Sequence, residues 1–385
     1  MSKSVNLLIC ALMLFATSIY AQESSFRIHG TIQGLDSEEM TVFIDDAEAP
    51  NGYRREEIKV ENNVFDFTST IKEVTHITIS TGVDRVVKWA DKGYIPVKSS
   101  LLAVFVYPGA DIKVSGEVSD FVNAYPESAE YNAGLTKLNT AIYPVMNESV
   151  NHTIKALKEE GDEKVASEKK ADELSKKSLA MKEQFITDNP DELASVWMLS
   201  DMALRNQLPM ERIEVLFNNF TETHQQTRYY HEVNERLNGF RSTKVGEIAP
   251  DLVSSNTPDG EPFDLKSLRG KYVVIDFWGT WCGPCMSGMP HLREYYLKYK
   301  DQLEIVGIAQ DRNVNKWKEA IETHQMDWHN VINNDQKNVD WVLKFNVSGF
   351  PTKLLLDKDG KIIGRWVGEG KEGQGLYNMI DELLQ

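Results

Sequence analysis

Two cysteines, Cys282 and Cys285, stand two residues apart in Trp281-Cys282-Gly283-Pro284-Cys285. Thiols at that spacing can exchange one disulfide with a partner. A helix that opens within the motif places the first sulfur beside backbone N–H groups lacking intrahelical acceptors, and their partial positive charge favours thiolate over thiol. Cys282 is then the attacking nucleophile. Cys285, one turn deeper, resolves the mixed disulfide, so that the partner leaves reduced and the chain keeps the disulfide. A competing use for such a pair is half a zinc site, but closure needs four ligands and the chain has no second cysteine pair. A copper site could take His291 as a third ligand. At six residues past Cys285, however, His291 falls on a different helical face. No metal and no other cofactor is expected.

The third cysteine, Cys10, lies in an apolar run, Leu7 to Ala16, that follows Lys3 and precedes small residues at Ala16, Ser18 and Ala21. That is the pattern of a signal peptide cleaved near Ala21, residues 1–21, with an uncleaved anchor as the alternative. The run is shorter than the roughly 20 apolar residues of a membrane span. Ile9 is too bulky for a lipidation site at Cys10. Only the Cys282–Cys285 pair then remains in a secreted chain. The pair is chemical equipment, and core packing must hold the fold.

The elements around the motif alternate strand and helix. Lys271 to Phe277 is a short apolar run of β-branched and aromatic residues, as a buried central strand requires. The helix that follows turns Met286, Met289, Leu292 and Tyr296 inward, and Pro290 kinks it by removing one N–H. Leu303 to Ala309 reads as a second buried strand, with a helix from Asn315 to His324 after it. Lys353 to Asp357 and Lys361 to Trp366 flank Lys358-Asp359-Gly360, a hairpin signal. Thr243 to Pro250 forms the linker that opens this last domain, residues 244–385.

At 385 residues the chain has room for two or three domains, and 41% hydrophobic with 26% charged residues fits a soluble globular protein. A net charge of −16 disfavours nucleic acid, whose phosphates need clustered Lys and Arg. Residues 22–120 are β-rich, with alternating runs at Ser25–Gly30, Met40–Ile44, Val64–Phe67, His76–Ser80, Leu101–Tyr107 and Ile112–Val114, which predicts a small antiparallel sandwich or barrel. Residues 121–243 are rich in Ala, Glu, Lys and Leu and predict helices, among them a solvated hairpin over Val150–Lys182 and an apolar helix from Leu193 to Met202. Asn189-Pro190-Asp191-Glu192 precedes it as a helix start. His29 and His76 lie in strand patterns without ligand spacing. Glu261 and Glu369 are acids to which the sequence assigns no partner.

Asp276 to Cys285, with Pro290 five residues on, resembles the active-site strand and helix of the thioredoxin superfamily, and Ser348-Gly349-Phe350-Pro351-Thr352 resembles its cis-proline loop. The lead-in segment, Val245 to Leu252 and Phe263 to Lys271, is similar to the extracytoplasmic TlpA/ResA branch. This likeness covers residues 245–385. The front half more weakly resembles the β-sandwich domain fused to such modules in Bacteroidetes-type secreted proteins, at Asn62–Phe67 and Val106–Ile112.

The resemblance implies a fold, a thioredoxin-like α/β domain behind a β-sandwich and a helical region, and roles for particular residues. Pro351 would be cis and, with Phe350, Trp281, Gly283 and Pro284, would shape the substrate groove. Asp276 matches a buried acid beneath the resolving cysteine, where it can take that thiol's proton. The alternative for Asp276 is a strand-end acid facing solvent. The implied activity is thiol:disulfide exchange with protein substrates in the periplasm or cell envelope, in the reducing direction. Implied partners are a membrane electron donor and apocytochrome c or other misoxidised proteins, with homodimerisation through the front domains. An oxidase or isomerase, or a copper-binding module on the same cysteines, is the rival.

Overall fold

A computed structural model of the chain describes residues 24–36, 39–46, 53–83, 88–90, 93–95, 101–126, 130–334, 339–371 and 373–385. The stretch read as a signal peptide lies outside them. Among the described residues no helix is long and apolar enough to cross a membrane.

In the front region, β1 (Ser24–Gln33) buries Phe26, Ile28 and Ile32 and turns Arg27 and Gln33 outward, the period of a half-buried strand. β2 (Met40–Asp45), β3 (Tyr53–Ile58), β4 (Val60–Glu61), β5 (Val64–Ile71), β6 (Thr75–Thr81), β7 (Trp89–Ala90), β8 (Gly93–Tyr94), β9 (Leu102–Val106), β10 (Asp111–Glu117) and β11 (Tyr125–Pro126) follow. One sheet has the order β11-β10-β1-β5-β4 and a second the order β3-β2-β6-β9. Buried side chains of both sheets form a single apolar cluster.

Two features depart from the antiparallel expectation. β1 and β10 run parallel, with Arg27 opposite Asp111 and Gln33 opposite Glu117. Parallel neighbours need a long crossover, and here the strands of the second sheet lie within it. β3, Tyr-Arg-Arg-Glu-Glu-Ile, carries no hydrophobic alternation that would mark it as a strand. It is an edge strand paired to β2 alone, where charge deters further pairing.

Five helices follow: α1 (Asn132–Ala156), α2 (Gly161–Asp188), α3 (Leu193–Leu204), α4 (Met210–Phe217) and α5 (Arg228–Ser242). α1 and α2 pack along each other as the expected hairpin, although it is longer than Val150–Lys182 at both ends. Pro190 does not open a helix; it sits in the turn after α2, and α3 starts at Leu193. Asn132 ties α1 to the sheet. Its side-chain amide donates to the Phe105 carbonyl at 2.9 Å and accepts from the Phe105 N–H at 2.8 Å, completing the β9 edge. His76 is structural, with its ring stacked on Trp197 at 4.1 Å and its backbone N–H donating to Tyr229 Oη at 2.6 Å.

The last region comprises β12 (Val253–Ser254), β13 (Phe263–Asp264), β14 (Tyr272–Trp278), α6 (Gly283–Tyr299), β15 (Leu303–Ala309), α7 (Val314–Thr323), β16 (His329–Ile332), α8 (Trp341–Lys344), β17 (Thr352–Leu356), β18 (Ile362–Val367) and α9 (Gln374–Leu384). Its main sheet has the order β16-β15-β14-β17-β18, with β14 parallel to β15 and antiparallel to β17. β14 is buried on both faces. Val274 and Trp278 join the cluster that holds both cysteines, and Val273, Ile275 and Phe277 join the opposite one. Gly360, at φ +80°, permits the turn between β17 and β18. The segment read as a linker is docked, since Gly246 N–H donates to Ile362 O at 2.8 Å and Ala249 N–H to Gly360 O at 3.0 Å.

Candidate active site

Cys282 is the N-cap of α6, and its Sγ accepts from the Cys285 N–H at 3.2 Å. The two sulfurs are joined as a disulfide in this structure. Gly283 and Pro284, both exposed, form the first turn, where a proline removes an N–H that has no partner anyway. Cys282 is 5% exposed and Cys285 1%, so the first cysteine is the more open residue of a largely covered pair. Met289 and Leu292 are buried beneath them, and Met286 and Tyr296 pack half-buried on the same cluster. α6 runs through Pro290 to Tyr299.

Trp281 is 61% exposed, whereas Trp278 is fully buried core. The Trp281 indole N–H donates to the Gln310 carbonyl at 2.8 Å, and its ring meets Phe350 edge-on at 5.2 Å. Thr280 donates from its N–H and its hydroxyl to the two carboxylate oxygens of Asp311, each at 2.8 Å. These bonds lash the motif to the loop after β15. The Phe350–Pro351 bond is cis, and Pro351 O accepts from the Gly368 N–H at 2.8 Å. Trp281, which precedes the N-cap of α6, thus packs against the cis-proline loop through Phe350.

Alternation along β14 puts Asp276 on the same face as Val274 and Trp278, the face that packs on α6. It is 1% exposed, which discards the solvent-facing alternative. Directly opposite on β17 stands Lys353, also buried, whose Nζ lies 3.5 Å from Asp276 Oδ1 and 2.8 Å from Glu369 Oε2. Gly288, one turn beyond Cys285 on α6, leaves the space this cluster needs. A Cβ there would stand 2.6 Å from the Glu369 carboxylate. The charged cluster therefore lies under the same helix face that carries Cys285.

Burial pushes the Asp276 carboxyl above its ordinary value; Lys353 opposes that shift and Glu369 adds to it. For Lys353, burial works against the charge, but Asp276 and Glu369 together outweigh it and hold the ammonium above its ordinary value. The two directions are compatible because Glu369 satisfies Lys353. With Lys353 and Glu369 forming a neutral pair, Asp276 can gain or lose a proton without leaving a cation unpaired.

Lys353 and Glu369 escape a reading of the sequence. Lys353 shows one local signal, a charge at the head of the apolar Leu354-Leu355-Leu356 run, but its partner is set by strand pairing. His291 stands apart from the sulfurs' chemistry: its Nδ1 is 3.6 Å from Glu294 and its ring lies against Tyr377 at 4.2 Å. Among the described residues, no group of three His, Cys, Asp or Glu side chains is placed to hold a metal ion.

Residues 270–362 match the family model described as thioredoxin-like. The thiol-disulfide oxidoreductase ResA of Bacillus thuringiensis (strain Al Hakam) is 34% identical over 132 residues, which are 34% of this chain and 74% of that protein. ResA of Bacillus subtilis (strain 168) is 32% identical over 130 residues, 32% of this chain and 68% of that protein. Among solved structures, the thioredoxin domain of a thiol-disulfide oxidoreductase from Bacteroides vulgatus is 32% identical, covering 37% of this chain and 99% of that one with a TM-score of 0.32. The dithiol motif at a helix start thus sits in a stretch that aligns with named enzymes over most of their length, and the chain belongs to the ResA-like thiol-disulfide oxidoreductases.

Proposed function

We propose that the chain reduces disulfides of other proteins outside the cytoplasm. The Cys282 thiolate attacks one sulfur of a partner disulfide, and the other partner sulfur leaves and takes a proton from solvent. Cys285 then gives its proton to Asp276 and attacks Cys282 Sγ. The Cys282–Cys285 bond forms, and the second partner sulfur leaves and is protonated. Two electrons pass from the dithiol to the partner. The observation that carries this reading is the asymmetry of the pair: Cys282 caps α6, while Cys285 lies one turn before Gly288, which stands on Glu369, the partner of Lys353 beside Asp276. The Gly283-Pro284 spacer matches thioredoxin, whose couple lies near about −270 mV, and supports the reducing direction.

An extended partner segment would lie along Trp281 and Phe350–Pro351, over the exposed turn of Gly283 and Pro284. Because an oxidising compartment consumes the dithiol, turnover calls for a membrane electron donor, with apocytochrome c or other misoxidised proteins downstream. The apolar run at Leu7–Ala16 supports export to the periplasm or cell envelope. We read residues 22–120 as a β-sandwich, on the core its two sheets share, residues 121–243 as a helical domain and residues 244–385 as the thioredoxin-like domain. The first two form a docking or dimerising unit. The reduced chain is expected to cleave the disulfides of insulin stoichiometrically, and Cys282→Ser to lose this entirely. Intact insulin after incubation with the wild-type dithiol would defeat the reducing assignment.

A further inference from the structure

The loop that leads into Phe350–Pro351 belongs to no helix or sheet, so its carbonyls need donor partners from elsewhere. Five in succession have them. Phe345 O and Asn346 O accept from the two Nη groups of Arg365 on β18, at 3.1 and 2.6 Å. Val347 O accepts from Arg236 Nη1 of α5 and Ser348 O from Asn206 Nδ2, just past α3, each at 3.3 Å. Gly349 O accepts from the Thr352 hydroxyl at 2.7 Å. Val347 O and Ser348 O are therefore held by the helical region, and the other three by the domain that carries the sulfurs.

The seat is close. Arg236 is buried, and Gly239, one turn along α5, lies directly on the Leu343 carbonyl; a Cβ there would also come within 2.7 Å of Lys344 O. A cleft of about 260 Å³ opens beside this contact, lined by Leu204, Glu232, Arg236, Gln310 and Asp340. Gln310 is the residue whose carbonyl holds the Trp281 indole. Its side-chain Oε1 accepts from Asn333 Nδ2 at 2.6 Å, and Asn333 also donates to Asp340, the cap of α8. Hydrogen bonds thus run from Trp281 along this boundary to α8, whose chain continues into the loop gripped by Arg236 and Asn206.

We infer that the helical region positions the substrate loop, with Arg236 and Asn206 as positioning residues that fix where Phe350–Pro351 meets a protein partner. The inference rests on the assignment of that loop as one wall of the substrate groove. A partner polypeptide must register against the loop backbone, whereas a small aromatic disulfide needs only the Cys282 sulfur. The two kinds of substrate should therefore separate.

The test uses the full chain with two substrates: insulin, turned over with dithiothreitol regenerating the dithiol, and dithionitrobenzoate, given to the pre-reduced chain in a single turnover. Arg236→Met is expected to raise the KM for insulin about tenfold, the scale of a lost hydrogen bond from a charged donor, with kcat and the dithionitrobenzoate rate within about twofold of wild type. Asn206→Ala should give a smaller rise in the same parameter, and Arg236→Lys should recover part of the loss. Gly239→Val, which wedges α5 away from α8, should reproduce the Arg236→Met split; if it does not fold, Arg236→Met with Asn206→Ala carries the test. An unchanged KM in that double variant would overturn the inference. So would equal losses with insulin and dithionitrobenzoate, since the effect would then lie in the dithiol or in folding. If wild type leaves insulin intact, the reducing direction fails, and the same KM split is read as the disulfide form oxidises a dithiol peptide.

Discussion

Cys285→Ala is expected to stop turnover while leaving the first chemical step intact. Cys282 would still attack a partner disulfide, because the helix N-terminus that favours its thiolate does not depend on the Cys285 sulfur. Resolution would then fail for want of a second thiol. Turnover should fall by at least about 10³-fold, the scale of deleting one member of a reacting unit. The stalled product is a covalent Cys282–partner adduct that survives non-reducing electrophoresis and releases the partner on reduction. Cys282→Ser should lose turnover equally but capture nothing. The contrast between the two variants matters more than either loss, because a misfolded domain would fail to capture in both. Mass spectrometry of the adduct would name the natural partner. Turnover by Cys285→Ala at the wild-type rate would remove Cys285 from the resolving role.

The second large effect lies in how fast Cys285 closes on Cys282 as pH changes. Dithionitrobenzoate primes Cys282 as a mixed disulfide, and release of the second thionitrobenzoate reads the closure step without any natural partner. As the proposed acceptor, Asp276 would take the proton only when ionised, and burial raises its carboxyl above the ordinary 3.8, so closure should accelerate as pH rises through the raised value. Asp276→Asn should slow closure at neutral pH by about 10²-fold, the lower end of what a positioned base supplies.

The neighbours give the profile a sign. Lys353 and Glu369 face Asp276 from β17 and from beyond β18, and Tyr377 from α9; burial also pushes the Tyr377 phenol up and out of the working range. Glu369→Gln removes a negative charge and should move the profile to lower pH. Lys353→Met removes a positive charge and should move it to higher pH. Each should change the rate on the acid limb by roughly tenfold, in opposite directions. Gly288→Ala, which drives the Glu369 carboxylate aside, should follow Glu369→Gln. Displacement of both profiles to the same side would exclude an electrostatic role for the pair.

Stability gives an independent reading. A carboxyl whose folded value is raised binds protons more tightly in the folded state, so stability falls as pH rises from the ordinary 3.8 to the raised value. Asp276→Asn leaves the Lys353–Glu369 pair neutral and should therefore be more stable than wild type at neutral pH. The gain should shrink as the medium becomes acid.

Much of the site is legible in the sequence because its chemistry is local. Cys282, Cys285 and the helix they open lie within one continuous stretch, and the apolar runs at Tyr272–Trp278 and Leu303–Ala309 announce buried strands without tertiary information. The depth of Asp276 needs the phase of β14, and the phase follows from packing. Lys353 and Glu369 are a different case. Each is an ordinary charged residue in its own neighbourhood, and only the register of β14 against β17 brings Lys353 opposite Asp276. In the front region the same limit appears as β3, a charged edge strand, and as the parallel β1–β10 pair, since neither charge pattern nor alternation encodes which strand becomes a neighbour. The grip of Arg236 on Val347 joins residues from two regions and leaves no trace in either sequence window.

The reduction potential of the Cys282–Cys285 couple tests the central claim most directly. Equilibrating the full chain with glutathione buffers of graded ratio, and counting free thiols by alkylation and mass, yields the value without any assumption about partners. A reductant with this spacer should lie near the thioredoxin value of about −270 mV. A couple near about −120 mV, where the reduced form is the favoured state and the disulfide is a strong oxidant, would contradict it.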